Sequence, residues 1–315
     1  VILFIGLVAH GGGLGNCVFV LISGYLLWNR HFNFKRVIQL WLQVLFWSVL
    51  SAIICLSLEE VSFSYELLYR VIFPISNQTY WFISTYFLLM LAVPFINIMI
   101  NNVTRKELLT LLISFFIVFS LYPTLFNIRW QYDGANLTYF VFLYCLGAYI
   151  SKYEVSCSGI TGITGILVCI LFGIGSELVT YHFKLPKPMS YYIWGMEKTP
   201  ITLCAVLVFL LFIKIKVSRF TKIIEIFSSS AFAVYLFHIG MLHHLVFYKW
   251  FKDQHLFTHW YFPIVLIVNA FLIYLIAVVI DKLRKYCLER PLMPAIDGLA
   301  GFLTRKIAYP GHRRN

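Results

Sequence analysis

The sequence predicts an all-α protein, a polytopic integral membrane helix bundle with about nine crossings, and three observations predict it. Charged residues make up only 12% of the 315, about half the share of a soluble domain. Hydrophobic residues make up 61% and aromatic residues 18%, so a chain this apolar needs lipid as its solvent. The apolar residues are gathered into successive runs of the length that crosses a bilayer, about 20 residues each.

The first run, Gly11 to Trp28, reads GGGLGNCVFVLISGYLLW. Glycine lets backbones approach closely, so Gly11, Gly12, Gly13, Gly15 and Gly24 suit a crowded helix interface. Glycine also tolerates broken geometry where a helix lines a cavity. Ser23, Gly24 and Tyr25 place small and polar groups where this helix nears its basic end. The run reads equally as a tightly packed transmembrane helix with no chemistry of its own. Further runs follow at about 37–56, 80–100, 108–126, 136–150, 160–179, 200–213, 226–247 and 261–280. The fifth and seventh are short and borrow flanking residues. No polar loop is long enough for a soluble domain, so residues 1–315 are expected to form a single membrane-embedded domain. The linkers Ser57 to Thr79 and Thr180 to Thr199 contain Tyr, Trp, Pro and Gly and are expected to fold back on the membrane. No internal repeat is visible, and no stretch reads as a cleavable signal peptide.

The formal net charge of +12 points to basic loops on one membrane face and not to nucleic acid. The loops at 29–36, 101–107, 151–159 and 214–225, with the tail after Asp281, carry 18 of the 25 Lys and Arg residues. The opposite loops carry 7. The positive-inside rule makes the richer face cytoplasmic, with the C-terminus inside. Trp28 and Trp41 flank the first inner loop, and Trp81, Trp130, Trp250 and Trp260 sit near outer ends, where an amphipathic ring is favoured. Trp47 is mid-helix and is expected to pack against a neighbour. This orientation starts the sequence outside, and it begins at Val1. An upstream helix is therefore expected to be missing, unless nine crossings are complete or Val1 to Gly13 holds a broken pair. The seven cysteines fall mostly inside apolar runs with no CxxC pair. They read as small apolar residues, and neither a disulfide framework nor a metal site is indicated.

Four stretches, in this order and spacing, carry a resemblance: NCVFVLISGYLL, FKRVIQLW, YWFISTYFLLMLAVPFIN and SSSAFAVYLFHIG. The set resembles the acyltransferase 3 family, polytopic bacterial membrane enzymes that O-acylate, usually O-acetylate, cell-surface glycans. The resemblance covers nearly the whole chain and implies about ten membrane helices. It implies transfer from cytosolic acyl-CoA, acetyl-CoA above all, to a carbohydrate hydroxyl in exopolysaccharide or cell-envelope modification. It implies a plasma-membrane location, no bound cofactor, and membrane lipid, acyl-CoA and a carbohydrate acceptor as partners. It also implies a general-base His on the first helix, preceded by an Arg. No such Arg-His pair stands upstream of the SGY run. His10 is the only upstream histidine, and it is either that base or an outer-interface residue before a glycine turn.

Acyl transfer from a thioester to an alcohol needs a base for the hydroxyl proton, cations for coenzyme A phosphates and donors for the developing oxyanion. Arg30, Lys35 and Arg36 stand at the inner end of the first run, where acyl-CoA would arrive. Arg holds phosphate through a fork and Lys as a point charge. The family often carries an Arg-x-x-Arg pair in this loop, which only Lys35 and Arg36 approximate. The other reading is a topology signal. His238, mid-helix in AVYLFHIG with Tyr235 one turn before it, is the second candidate base, because an ionisable residue at membrane depth is functional by default. The alternative is a neutral His bonded to Tyr235 or to a backbone carbonyl. His243 and His244 lie near the outer end. Gln39 and Gln43 share one helix face and suit bonding across helices. Glu177, near the outer end of the sixth run, would orient a His or an acceptor, or reach water. Two other classes stay open from sequence: a transporter or flippase of lipid-linked sugars, and a non-catalytic membrane partner in polysaccharide synthesis.

Overall fold

A computed structural model describes residues 11–126, 137–183, 195–216, 219–244 and 259–306. Helix accounts for 81% of these residues, and there is no strand among them. The helices are α1 Gly11–Leu27, α2 Phe34–Ser57, α3 Tyr65–Ile72, α4 Trp81–Asn102, α5 Arg105–Phe116, α6 Tyr122–Phe126, α7 Leu137–Lys152, α8 Gly159–His182, α9 Thr199–Phe212, α10 Thr221–Ser228, α11 Ala231–His238, α12 Leu242–His244, α13 Phe262–Arg284 and α14 Arg290–Lys306. A π-helical turn, Ile117–Leu121, joins α5 to α6, and another, Lys285–Glu289, joins α13 to α14. By length and composition, five helical segments are apolar enough to cross a membrane, and α1, α7 and α9 are shorter apolar helices. The predicted runs and the helices coincide within a few residues, except in the eighth run.

Helix starts follow local chemistry. The Asn33 side chain accepts from the Lys35 N–H and Ser64 from the Leu67 N–H, so each opens its helix with one donor satisfied. At α5, Thr104 and Glu107 cap one another's backbone groups reciprocally. The linker after Ser57 is not structureless, because α3 forms within it behind the Ser64 cap.

The described residues gather into two compact units. One combines residues 11–32, 88–126, 137–183 and 195–216. Its centre is α7, buried on nearly every side through Tyr139, Phe140, Phe142, Leu143 and Tyr144. α1 crosses α7 with almost no separation: a Cβ on Gly24 would lie 2.0 Å from the Tyr144 carbonyl oxygen, and one on Gly147 would lie 2.1 Å from that of Leu21. Only hydrogen fits at either position, so these two glycines set the crossing. The expectation for the other glycines is corrected. Gly11, Gly12 and Gly15 have nothing within 4 Å of the point where a Cβ would stand, and Gly13 makes only ordinary contact with Met196. They lie toward the start of α1, beyond the crossing.

Polar groups inside this unit are paired. Asn97 donates to the Leu27 carbonyl and accepts from the Tyr144 hydroxyl, at 2.9 and 2.8 Å. The Tyr139 hydroxyl donates to the Met196 carbonyl at 2.9 Å and lies 2.8 Å from Thr202 Oγ1, which in turn accepts from Ser120. Buried Lys198 donates to the Pro123 carbonyl at 2.6 Å. Lipid offers these groups no competing partner, so interhelical bonding here contributes to cohesion. α8 lies at the other extreme, with Ile160, Leu171 and Phe172 more than half exposed. Such side chains suit contact with lipid tails.

The second unit combines residues 33–87, 219–244 and 259–306. α11 packs on α13 and on α2. Trp47 is fully buried and meets Phe237 edge to face at 5.7 Å, the neighbour expected for it. The cytoplasm-directed end predicted for the last run carries an ion network. Buried Asp281 pairs with Arg284 at 3.0 Å and with Lys285 at 2.7 Å, and Arg284 reaches Glu289 at 2.9 Å.

Candidate functional site

The eighth run is broken, and the break is where the candidate histidine stands. A single helix over 226–247 was expected, with His238 in its middle. Instead α10 ends at Ser228, α11 runs from Ala231 to His238, and Ile239 is extended. Two local causes act. The Ser229 hydroxyl donates to the Ile226 carbonyl at 3.1 Å and competes with the helical backbone at the end of α10. Gly240 takes φ +81°, and a Cβ there would lie 2.9 Å from Tyr80 Cε1. The left-handed turn under the Tyr80 ring is therefore a glycine position. Non-helical backbone at membrane depth is tolerated where it is buried in protein or lines a polar cavity.

His238 thus ends a helix. Its Nδ1 lies 2.6 Å from the Val234 carbonyl oxygen. A carbonyl can only accept, so Nδ1 carries the proton and the lone pair of the neutral ring is on Nε2. Tyr235 stands one turn before it, its ring edge-on to the imidazole at 6.0 Å and to Phe82 at 5.6 Å. Cys55 Sγ donates to the Met241 carbonyl at 3.6 Å and holds the turn after the break against α2. His238, Tyr235, Tyr80, Phe82, Trp47 and Cys55 come from three distant stretches of sequence and meet here. The sequence signals for it were the YLFH segment and the isolated Gly240.

The remaining candidates have separate surroundings. Ser23 donates to the Phe19 carbonyl four residues back at 2.9 Å, beside the α1–α7 crossing. Arg30 is exposed, and its Nε donates to the Leu26 carbonyl at 3.1 Å, capping the end of α1. Lys35 and Arg36 share the first turn of α2. Lys35 pairs with Asp297 at 2.7 Å, and Arg36 is exposed. Glu177 lies on α8, but its side chain is outside the described residues, as are His10 and the side chain of His244. Gln39 and Gln43 do bond across helices: Gln39 donates to Glu289 at 3.0 Å and Gln43 to Asp281 at 3.4 Å. Sequence reasoning treated the basic tail only as a topology signal and missed that Asp281 gathers it. Acid–base spacing at i, i+3 and i+4 was the available sign.

Comparison with known proteins adds a family. No curated protein and no solved structure gives a significant match. The family model Acyl_transf_3, described as an acyltransferase domain, matches residues 4–278. That span takes in the crossing helices α1 and α7, the broken segment at His238 and most of α13. The chain therefore belongs to the acyltransferase 3 family and is a multi-pass membrane acyltransferase.

Proposed function

We propose that the protein moves an acyl group, acetyl first among candidates, from cytosolic acyl-CoA to a hydroxyl of a cell-surface or lipid-linked carbohydrate. In this reading it works in the bacterial plasma membrane with its C-terminus in the cytoplasm. The observation that carries the reading is the family match along residues 4–278. His238, set at a helix break with its Nε2 lone pair fixed by the Val234 bond, supports it.

The chemistry assigns roles. The acceptor oxygen attacks the thioester carbonyl, its proton passes to Nε2 of His238, and coenzyme A leaves as the thiolate, which the same proton then neutralises. His10 is the alternative base that the family resemblance suggests. Arg30, Lys35 and Arg36 would meet the phosphates of coenzyme A. The Lys35–Asp297 pair is about one-third and one-half exposed on its two sides. Such a pair is worth little, so a phosphate can displace the carboxylate. Ser23 keeps a supporting role in helix packing.

Membranes containing the protein, given labelled acetyl-CoA, should release free coenzyme A and place label in carbohydrate. His238→Ala should lower transfer by about 10²–10⁴-fold. Arg36→Ala should raise KM for acetyl-CoA several-fold, and both variants should insert normally. Unchanged turnover in both would remove these residues from the site.

A further inference from the structure

The last helix, α14, lies beyond the stretch that the family model covers, which ends at residue 278. From Phe262 to Lys306 the chain is helical for 45 residues, about 68 Å at 1.5 Å per residue and over twice the ~30 Å of a bilayer's hydrocarbon. The 23 residues of α13 cover about 35 Å and complete a crossing by themselves. α14 therefore belongs outside the hydrocarbon core. The π turn Lys285–Glu289 and Pro294 inside α14 both interrupt the regular ladder here, and these are usual causes of a bend.

At about 3.6 residues per turn the segment has three faces. Met293, Ile296 and Ala300 form the face toward α2, where Ile296 and Ala300 are buried and Met293 meets Gln39. Leu288, Leu292, Leu299 and Phe302 form a second stripe at the same spacing, and they are 45%, 45%, 49% and 54% exposed. Arg290, Pro294, Asp297 and Arg305 form the third. After Asp281 the sequence holds eight Lys and Arg residues against two acids, Glu289 and Asp297. Both acids are engaged, Glu289 by Arg284 at 2.9 Å and Asp297 by Lys35 at 2.7 Å. Arg290, Arg305 and Lys306 are exposed and, among the described residues, meet no carboxylate. Arg290 lies over the Tyr286 ring at 5.3 Å and Lys306 over the Phe302 ring at 5.8 Å. A cation placed over a ring beside an apolar stripe keeps its stem on apolar surface and its head toward water.

We propose that α14 lies in the surface of an anionic bilayer leaflet, with the Leu288–Phe302 stripe among the upper acyl chains and Arg290, Arg305 and Lys306 on lipid phosphates. The pattern selects this partner. The stripe needs an apolar neighbour and the cations beside it need an anionic one, and a leaflet of anionic lipid offers both at adjoining depths. A second copy of α14 would bring its own cations against these and repel. A neutral leaflet would leave the cations without counter-charge. Acyl transfer plays no part in this placement.

The test uses the full chain in vesicles, with variants that keep the parent's circular dichroism. Phe302→Trp adds an indole to the stripe, read as the difference in fluorescence from the parent, and Leu299→Trp repeats the reading one turn away. The added emission should fall roughly by half when the lipids carry bromine on the upper acyl chain, because the apolar face of such a helix reaches about 5–10 Å into that region. Aqueous acrylamide should leave it unchanged. Energy transfer from the added indole to dansyl-tagged phosphatidylglycerol should exceed transfer to dansyl-tagged phosphatidylcholine. The triple substitution Arg290→Gln, Arg305→Gln and Lys306→Gln should abolish that preference, and so should raised salt, which screens headgroup attraction. Quenching by acrylamide without quenching by bromine would put the stripe in water and overturn the proposal. Shielding from both quenchers would show that protein covers it, a second copy or another partner, and overturn it equally. Equal transfer to the two tagged lipids, or a preference that survives the triple substitution, would do the same.

Discussion

An alanine at position 24 or 147 tests the α1–α7 crossing directly. The added Cβ would lie 2.0 Å from the Tyr144 oxygen in the first case and 2.1 Å from the Leu21 oxygen in the second, where real contacts essentially never fall under 3.0 Å. The difference, 3.0 − 2.0 Å, means that the helices must part by about 1 Å. Both obstacles are backbone, so no side chain can swing aside. A gap of 0.5–1 Å forfeits a quarter to a half of each van der Waals contact across the interface. Overpacking of this kind costs about 1–3 kcal/mol, and a backbone clash belongs at the upper end. Alanine's better helix propensity returns about 0.5–1 kcal/mol, too little to reverse the sign. Each single substitution should therefore cost about 2 kcal/mol and lower the unfolding temperature of a 315-residue chain by about 3 °C. The assay is detergent-solubilised protein heated with a thiol-reactive fluorophore, which reports exposure of the buried Cys17 and Cys145. One separation relieves both clashes, so the double variant should cost clearly less than the sum of the singles. Singles within about 0.5 kcal/mol of the parent, or strictly additive costs, would refute the reasoning.

The other structural predictions divide by burial. Asp281→Asn removes the carboxylate that Arg284 meets at 3.0 Å with both side chains buried, and should cost about 3 kcal/mol in unfolding. Lys285→Gln touches the same carboxylate from a side chain that is 31% exposed and should cost under about 1 kcal/mol. Equal losses would show that burial does not set the difference. Asn97→Ala deletes the bonds to the Leu27 carbonyl and the Tyr144 hydroxyl. At about 0.6 kcal/mol per interhelical bond in a membrane, with an orphaned tyrosine added, it should cost about 1–2 kcal/mol. A neutral result in denaturant titration would mean that these bonds are exchanged for others.

What could be read in advance was whatever depends on transfer to lipid, because that free energy is a sum over residues in one run. Eight of the nine runs are helices within a few residues of the expected bounds. The ninth expectation failed at His238, where FHIGML is uniformly apolar apart from the histidine, and hydropathy cannot mark a break inside such a run. The break needs Tyr80, brought from about 160 residues away, to press on Gly240. The same limit applies to the glycines. Five were singled out on α1, but the interface uses Gly24 together with Gly147, which had not been singled out. Nearly featureless apolar helices carry little record of which side faces protein.

The sequence by itself determined the solvent, the class and the family: low charge, crossing-length apolar runs, and four ordered stretches sufficed. Only the tertiary structure decided which polar atoms are paired. Asn97 and Tyr139 found partners, while the Trp47 indole N–H and the Ser48 hydroxyl did not. Hydropathy is additive along a chain, whereas a hydrogen bond exists only when two distant groups arrive within about 3 Å of each other.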